Sequence, residues 1–114
     1  MQYITEQSGG VLIIELQDTV LNQQMTDDLR TVLFGGLRAE HRATILDFSA
    51  VTYVTSLPLS ILIAIGEQLR DFGRRLLLVN VPETVRAALA SQYRTQPFEY
   101  WPDREAALQA IRAR

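Results

Sequence analysis

The chain has 114 residues, 47% of them hydrophobic and 21% charged, with a formal net charge of −2 and no cysteine. These values exclude a disulfide scaffold and thiol catalysis, separate the chain from disordered sequences, and give no overall electrostatic pull toward nucleic acid or anionic lipid. One domain spanning residues 1–114 is expected. A reducing cytoplasm fits the missing cysteines, and the opening M-Q-Y-I-T-E-Q has neither the basic nor the apolar region of a secretory signal.

Tyr3 to Gln7 reads as a short strand and Ser8-Gly9-Gly10 as a turn into Val11–Leu16 (V-L-I-I-E-L), so the chain should open with a hairpin. Gln17 to Asn22 is a loop, and Asn22 can cap the helix beyond it. From Gln23 the period becomes helical, with Met25, Leu29, Val32, Leu33 and Leu37 on one face and Gly35-Gly36 weakening the end. Ala43–Phe48 reads as a buried strand. A helix then runs to about Phe72, where Gly73 is a C-terminal stop. Leu76–Val81 is a further strand, and Pro82 opens a helix over Glu83–Ser91. Phe98–Trp101 is a short last strand, and Asp103 caps a final helix through Ala107, Leu108 and Ile111. Strands alternating with helices predict an α/β fold with right-handed parallel crossovers. The opening hairpin makes it a mixed sheet of about five strands packed with about four helices.

The stretch V-T-Y-V-T-S-L-P-L-S-I-L-I-A-I-G, Val51 to Gly66, has no charge. Its Thr, Ser and Pro residues interrupt it too often for a membrane span, so no membrane insertion is expected. Ser56 is placed to cap the helix, and Pro58 in the first turn costs little. The capping box is incomplete because Leu59 stands where Glu or Gln is wanted. On a helical wheel Pro58, Leu62, Ile65, Leu69 and Phe72, broadened by Ile61, form the core stripe. Ser56, Ser60, Ile63 and Glu67 lie roughly opposite. Ser56 is therefore expected at the surface beside an exposed apolar pair, Leu59 and Ile63. That pair is either a docking patch or a surface covered by the last helix or by a dimer partner.

D-F-S-A-V-T-Y-V-T-S-L-P-L-S, Asp47 to Ser60, resembles the signature of STAS domains, the anti-sigma factor antagonist family. Asp47, Phe48 and Ser49 match the family's D-[LF]-S. Ser56 falls on the first serine of its D-S-S-G-L-G, and Leu59 on its leucine. G-R-R-L-L-L-V-N-V-P-E-T-V-R-A-A-L, Gly73 to Leu89, is similar to the family's Gly, apolar strand, Pro and Val-[KR]-x-x-Leu, with Pro82, Val85, Arg86 and Leu89 in place. Thr55 replaces the acidic residue before the serine, and Leu57-Pro58 replaces Ser-Gly. The resemblance implies a non-enzymatic switch protein without a bound cofactor or metal. It would bind an anti-sigma factor that is also a serine kinase, be released by phosphorylation at Ser56 (second choice Thr55), and be reset by a serine phosphatase. Leu57, Leu59, Ser60 and Ile63 would form the contact surface, bordered by the loops at Asn22 and Pro82. A weak homodimer is compatible with the same reading.

Other chemistry finds little support. A hydrolase triad of Ser56, His41 and Asp47 lacks the G-x-S-x-G elbow, and His41 in R-A-E-H-R reads as a solvated loop residue. No metal-ligand spacing, Walker loop or G-x-G-x-x-G is present. Arg74-Arg75 reads as a solvated helix end, and Tyr93, Phe98, Tyr100 and Trp101 as packing. Two alternatives remain: an interaction subunit of a larger signalling or transporter complex that is never phosphorylated, and a small-ligand binding domain.

Overall fold

The computed structural model describes residues 1–38, 41–92 and 94–113. Its strands are β1 (Tyr3–Ser8), β2 (Val11–Leu16), β3 (Val20–Leu21), β4 (Ala43–Asp47), β5 (Tyr53–Val54), β6 (Arg75–Val79) and β7 (Glu99–Trp101). Its helices are α1 (Thr26–Arg38), α2 (Ser56–Asp71), α3 (Glu83–Gln92) and α4 (Arg104–Arg112). The main sheet has the order β1-β2-β4-β6-β7, with β1 antiparallel to β2 and every later neighbour parallel. Gly9 and Gly10, at φ 55° and 78°, close the hairpin. A two-residue turn of this hand requires positive φ at both positions, which glycine adopts without strain.

Three crossovers advance one strand at a time in the same direction. Right-handed connections of that kind put their helices on one face. Accordingly Leu29, Leu33, Leu62, Ile65, Val85 and Leu89 of α1, α2 and α3 pack against Leu12, Ile14, Leu46 and Leu78 of the sheet. The other face, with Val11, Ile13, Ala43, Ile45, Leu77 and Val79, is covered by Ala107 and Ile111 of α4. The central strands are therefore apolar on both sides, which is why V-L-I-I-E-L and A-T-I-L-D read as continuous runs rather than alternations.

Capping agrees with the sequence at several ends. Asn22 Oδ1 accepts from the Gln24 N–H (3.0 Å) at the head of a 3-10 turn over Gln23–Met25 that leads into α1. Asp103 Oδ1 accepts from the Ala106 N–H (2.9 Å). Gly73, at φ 73°, closes α2, with Gly73 N–H bonded to Arg70 O and Arg74 N–H to Leu69 O, a Schellman arrangement. Gly35-Gly36 does not end α1, which continues to Arg38.

Several expectations need correction. The two-residue strands β3 and β5 form a separate parallel pair that the sequence does not announce. Strand β6 stops at Val79, because Asn80 turns into the left-handed region at φ 55°. His41 is buried rather than solvated, and its backbone oxygen accepts from Arg74 (2.8 Å). Arg75 makes a two-pronged ion pair with Glu99 across β6 and β7, both contacts at 2.7 Å, so Arg74-Arg75 is not a solvated helix end. Phe98 and Tyr100 pack edge to face, ring centres 5.6 Å apart, and Arg86 lies 4.3 Å over the Tyr100 ring. Tyr93 and the side chain of Leu37 lie outside the described residues.

Candidate functional site

β5 carries the chain from the end of β4 to the head of α2. It is held against β3 by Thr52 N–H and Oγ1, both donating to Thr19 O (2.7 and 3.0 Å), and by Thr55 N–H donating to Leu21 O (2.9 Å). Leu21 and Val54 are buried beneath this small sheet, and Val20 and Tyr53, register partners, face outward. The helix cap is Thr55 rather than Ser56. Thr55 is extended and its side chain makes no capping bond; its hydroxyl oxygen is buried without a partner. Ser56 is thus the first helical residue, exposed, and its hydroxyl bonds to no described residue. Pro58 occupies the third helical position, so one of the N–H groups that a helix start normally offers is missing.

The exposed apolar surface differs from the one expected. Leu59 and Ile63, 1% and 6% exposed, belong to the core. Phe72, assigned to the core stripe, is 65% exposed. A wheel with one buried stripe suits a helix resting on a sheet, but α2 also packs against α1 and, at Gly66, against Pro97 and Phe98, so more than one face is covered. The exposed face runs instead through Leu57, Ala64, Gln68 and Asp71. Around Ser56 the apolar surface consists of Leu57 (46% exposed), Tyr53 (55%) and Val20. Ser60 is half-buried, and its hydroxyl donates to Leu57 O (2.8 Å). Asn22 and Pro82 are half-buried in the loops after β3 and β6, at the same strand ends.

A residue matched only as a motif position proves to be a structural hub. Asp47, 3% exposed at the end of β4, receives Ser49 N–H (2.9 Å) and Asn80 Nδ2 (3.0 Å) on Oδ1, and Arg104 Nε (2.7 Å) on Oδ2. Arg104, opening α4, also binds Glu6 (2.8 Å) and Glu15. Burial is the largest influence on the Asp47 carboxyl and favours the neutral acid. The hydrogen bonds from Asn80, Arg104 and Ser49, with the Arg104 charge, together outweigh it and hold the carboxyl below its ordinary value. The left-handed turn at Asn80 brings its amide back to this carboxylate. A Ser56–His41–Asp47 triad does not assemble, since His41 precedes β4, Asp47 ends it, and the Asp47 carboxylate is committed to Arg104. Among the described residues no group of three or more His, Cys, Asp or Glu is placed to hold a metal, and no helix is long and apolar enough to cross a membrane.

The mixed sheet with three crossover helices on one face, one helix on the other and an exposed serine heading α2 defines an α/β domain of a recognisable kind. The chain belongs to the STAS domain family, whose sequence model matches residues 2–94. The fold is similar to murine Slc26a9, an anion transporter (17% identity, TM-score 0.81), over 96% of this chain but 19% of the transporter's. It is similar to an anti-sigma factor antagonist from Mycobacterium paratuberculosis (22% identity, TM-score 0.82, 97% of this chain and 93% of that one). It is also similar to the phosphorylated form of the Bacillus cell fate determinant SpoIIAA (14% identity, TM-score 0.73, 96% of this chain and 99% of that one). No curated protein sequence matches the chain.

Proposed function

We propose that this STAS domain is a partner-switching regulator of the anti-sigma factor antagonist type: unmodified, it binds an anti-sigma factor that is also a serine kinase, and phosphorylation of Ser56 releases it. The observation that carries the reading is the free, exposed hydroxyl of Ser56 beside Leu57 and Tyr53. Burial of the Thr55 oxygen favours Ser56 as acceptor over Thr55. The phosphorylated Bacillus structure is consistent with a phosphoryl group on this kind of fold. A phosphoserine adds roughly −1.5 to −2 charge. At the head of α2 the Ser56 and Leu57 N–H groups and the helix dipole favour that charge, so the domain stays folded. Inside an apolar contact the same charge has to be desolvated, and a loss of about 2.8 kcal/mol weakens binding a hundredfold. A serine phosphatase would reverse the step. The site needs no cofactor of its own, because the kinase brings the ATP.

A second reading, an interaction subunit that is never phosphorylated, is favoured by Pro58, which removes a donor the phosphate could use. The likeness to a domain-sized part of a transporter chain points the same way. Incubation with an anti-sigma-type serine kinase and ATP, then intact mass and peptide mapping, separates the two. The switch reading expects one phosphoryl group on Ser56, retained binding by Ser56→Ala, and loss of about a hundredfold in affinity for Ser56→Asp. Equal binding by the two variants overturns it.

A further inference from the structure

β1 is unlike the other strands. Tyr3 to Gln7 are exposed on both faces, Ile4 by 50%, because neither helical layer covers them: α4 touches the strand through the Arg104–Glu6 ion pair, and α1 leaves a groove beside it. Gln17 N–H donates to Gln2 O (2.9 Å), which makes Gln2 and Gln17 a hydrogen-bonded pair of the hairpin. Such pairs alternate with non-bonded ones along an antiparallel ladder. Within the register Ile4↔Glu15, Glu6↔Ile13 and Ser8↔Val11, the even residues of β1 therefore bond to β2. Tyr3, Thr5 and Gln7 direct their backbone N–H and C=O groups to the open edge. Edges of this length are normally protected by Lys, Pro or a bulge. β1 contains no proline, pairs without interruption, and belongs to a chain with no lysine. The opposite edge, β7, is three residues long.

We infer that β1 is a self-association edge and that its occupant is β1 of a second copy, antiparallel, with Thr5 facing Thr5 across the two-fold axis. The outward groups are centred on Thr5, so this register satisfies all of them at once: Thr5 with Thr5, and Tyr3 with Gln7 in both directions. These three pairs supply about six backbone hydrogen bonds. The side-chain pairs are compatible, since Thr–Thr pairs are favourable and Ile4 falls opposite Glu6, whose charge is already matched by Arg104 at 2.8 Å. No like charges face each other directly. The groove of about 290 Å³ between β1 and α1, lined by Tyr3, Thr5, Gln7, Leu12 and Val32, meets its copy beside the axis. The contact is small beside the about 800 Å² per partner of a standard complex, so the dimer forms at high concentration.

Sedimentation equilibrium from micromolar to millimolar protein, with amide hydrogen exchange at both extremes, tests this. The expected result is a concentration-dependent dimer in which the Tyr3, Thr5 and Gln7 amides gain at least about tenfold protection, against unchanged Ile4 and Glu6 amides. Thr5→Pro removes an outward N–H without touching the β1–β2 ladder and should be monomeric. Thr5→Lys places like charges in the central pair and serves if the proline variant does not fold. With no native cysteine, Thr5→Cys should oxidise to a covalent dimer far faster than Tyr3→Cys. A protein monomeric at millimolar concentration, a dimer unaffected by both Thr5 variants, or an edge protected only by a different protein overturns the inference.

Discussion

Two polar residues close in sequence, Asp47 and Ser56, have opposite fates. Asp47 is buried and both its carboxylate oxygens are hydrogen-bonded: a backbone N–H, an amide and a guanidinium converge on it. Ser56 is exposed and its hydroxyl bonds to nothing described. The first is what a buried charge needs in order to be tolerated. The second leaves an oxygen available to an outside reagent. Both are motif residues, so matching a motif does not distinguish a residue committed to the frame from one left open to solvent. Burial and hydrogen-bond satisfaction do.

That contrast can be tested at several strengths. Asp47→Ala leaves Arg104 Nε, the Asn80 amide and the Ser49 N–H without their acceptor, although Arg104 keeps Glu6 and Glu15. Removing one partner of a buried pair costs about 3–5 kcal/mol; with Arg104 partly in water, about 3 is expected, read as a fall in the urea midpoint. Ile63→Ala should cost about 2–4 kcal/mol by the same assay, whereas Leu57→Ala should stay within about 0.5 kcal/mol and lower partner affinity instead. If the two behave alike, the assignment of surface and core on α2 is wrong.

Gly66 is a subtler case. A Cβ there would sit 2.8 Å from Pro97 Cγ, so Gly66→Ala should destabilise by about 1–3 kcal/mol despite its gain in helix propensity.

Acid should weaken the buried hub in a defined window. Asp47 has a folded pKa below its ordinary value, so the native state holds its proton less tightly than the unfolded chain. Its contribution to stability is complete above the unfolded pKa and is lost as pH falls from there through the folded one. Urea midpoints measured from about pH 5 to about pH 2 should therefore fall more steeply for the native chain than for Asp47→Asn. The smallest effect belongs to Ser56→Ala: with no capping bond to lose, it should move the unfolding midpoint by less than about 0.5 kcal/mol.

The sequence shows most of this architecture because burial on both faces produces unbroken apolar runs in β2, β4 and β6, and because Asn22, Gly73 and Asp103 act through local geometry. It hides whatever depends on distant neighbours. β3 and β5, two residues each, have no periodicity to read and exist through Thr52 and Thr19. Leu59 and Ile63 are buried in the core that α1, α2 and α3 share with the sheet, neighbours the wheel does not know. The Asp47–Arg104 contact joins residues 57 positions apart, and Arg75 finds Glu99 only because β6 and β7 pair. The exposed serine was legible, since an uncharged helix start is itself a local signal. Its apolar surroundings were not: the wheel sets Leu59 and Ile63 beside it, both buried, and of the expected contact residues only Leu57 is exposed, while Tyr53 and Val20 come with the small sheet.

One oxygen atom ties the rim together. Asp47 Oδ1 fastens both the loop entering β5, through Ser49, and the bend after β6, through Asn80. Loss of that single acceptor would therefore loosen the approach to Ser56 and the bend before Pro82 together, a shared point of failure for two otherwise separate segments.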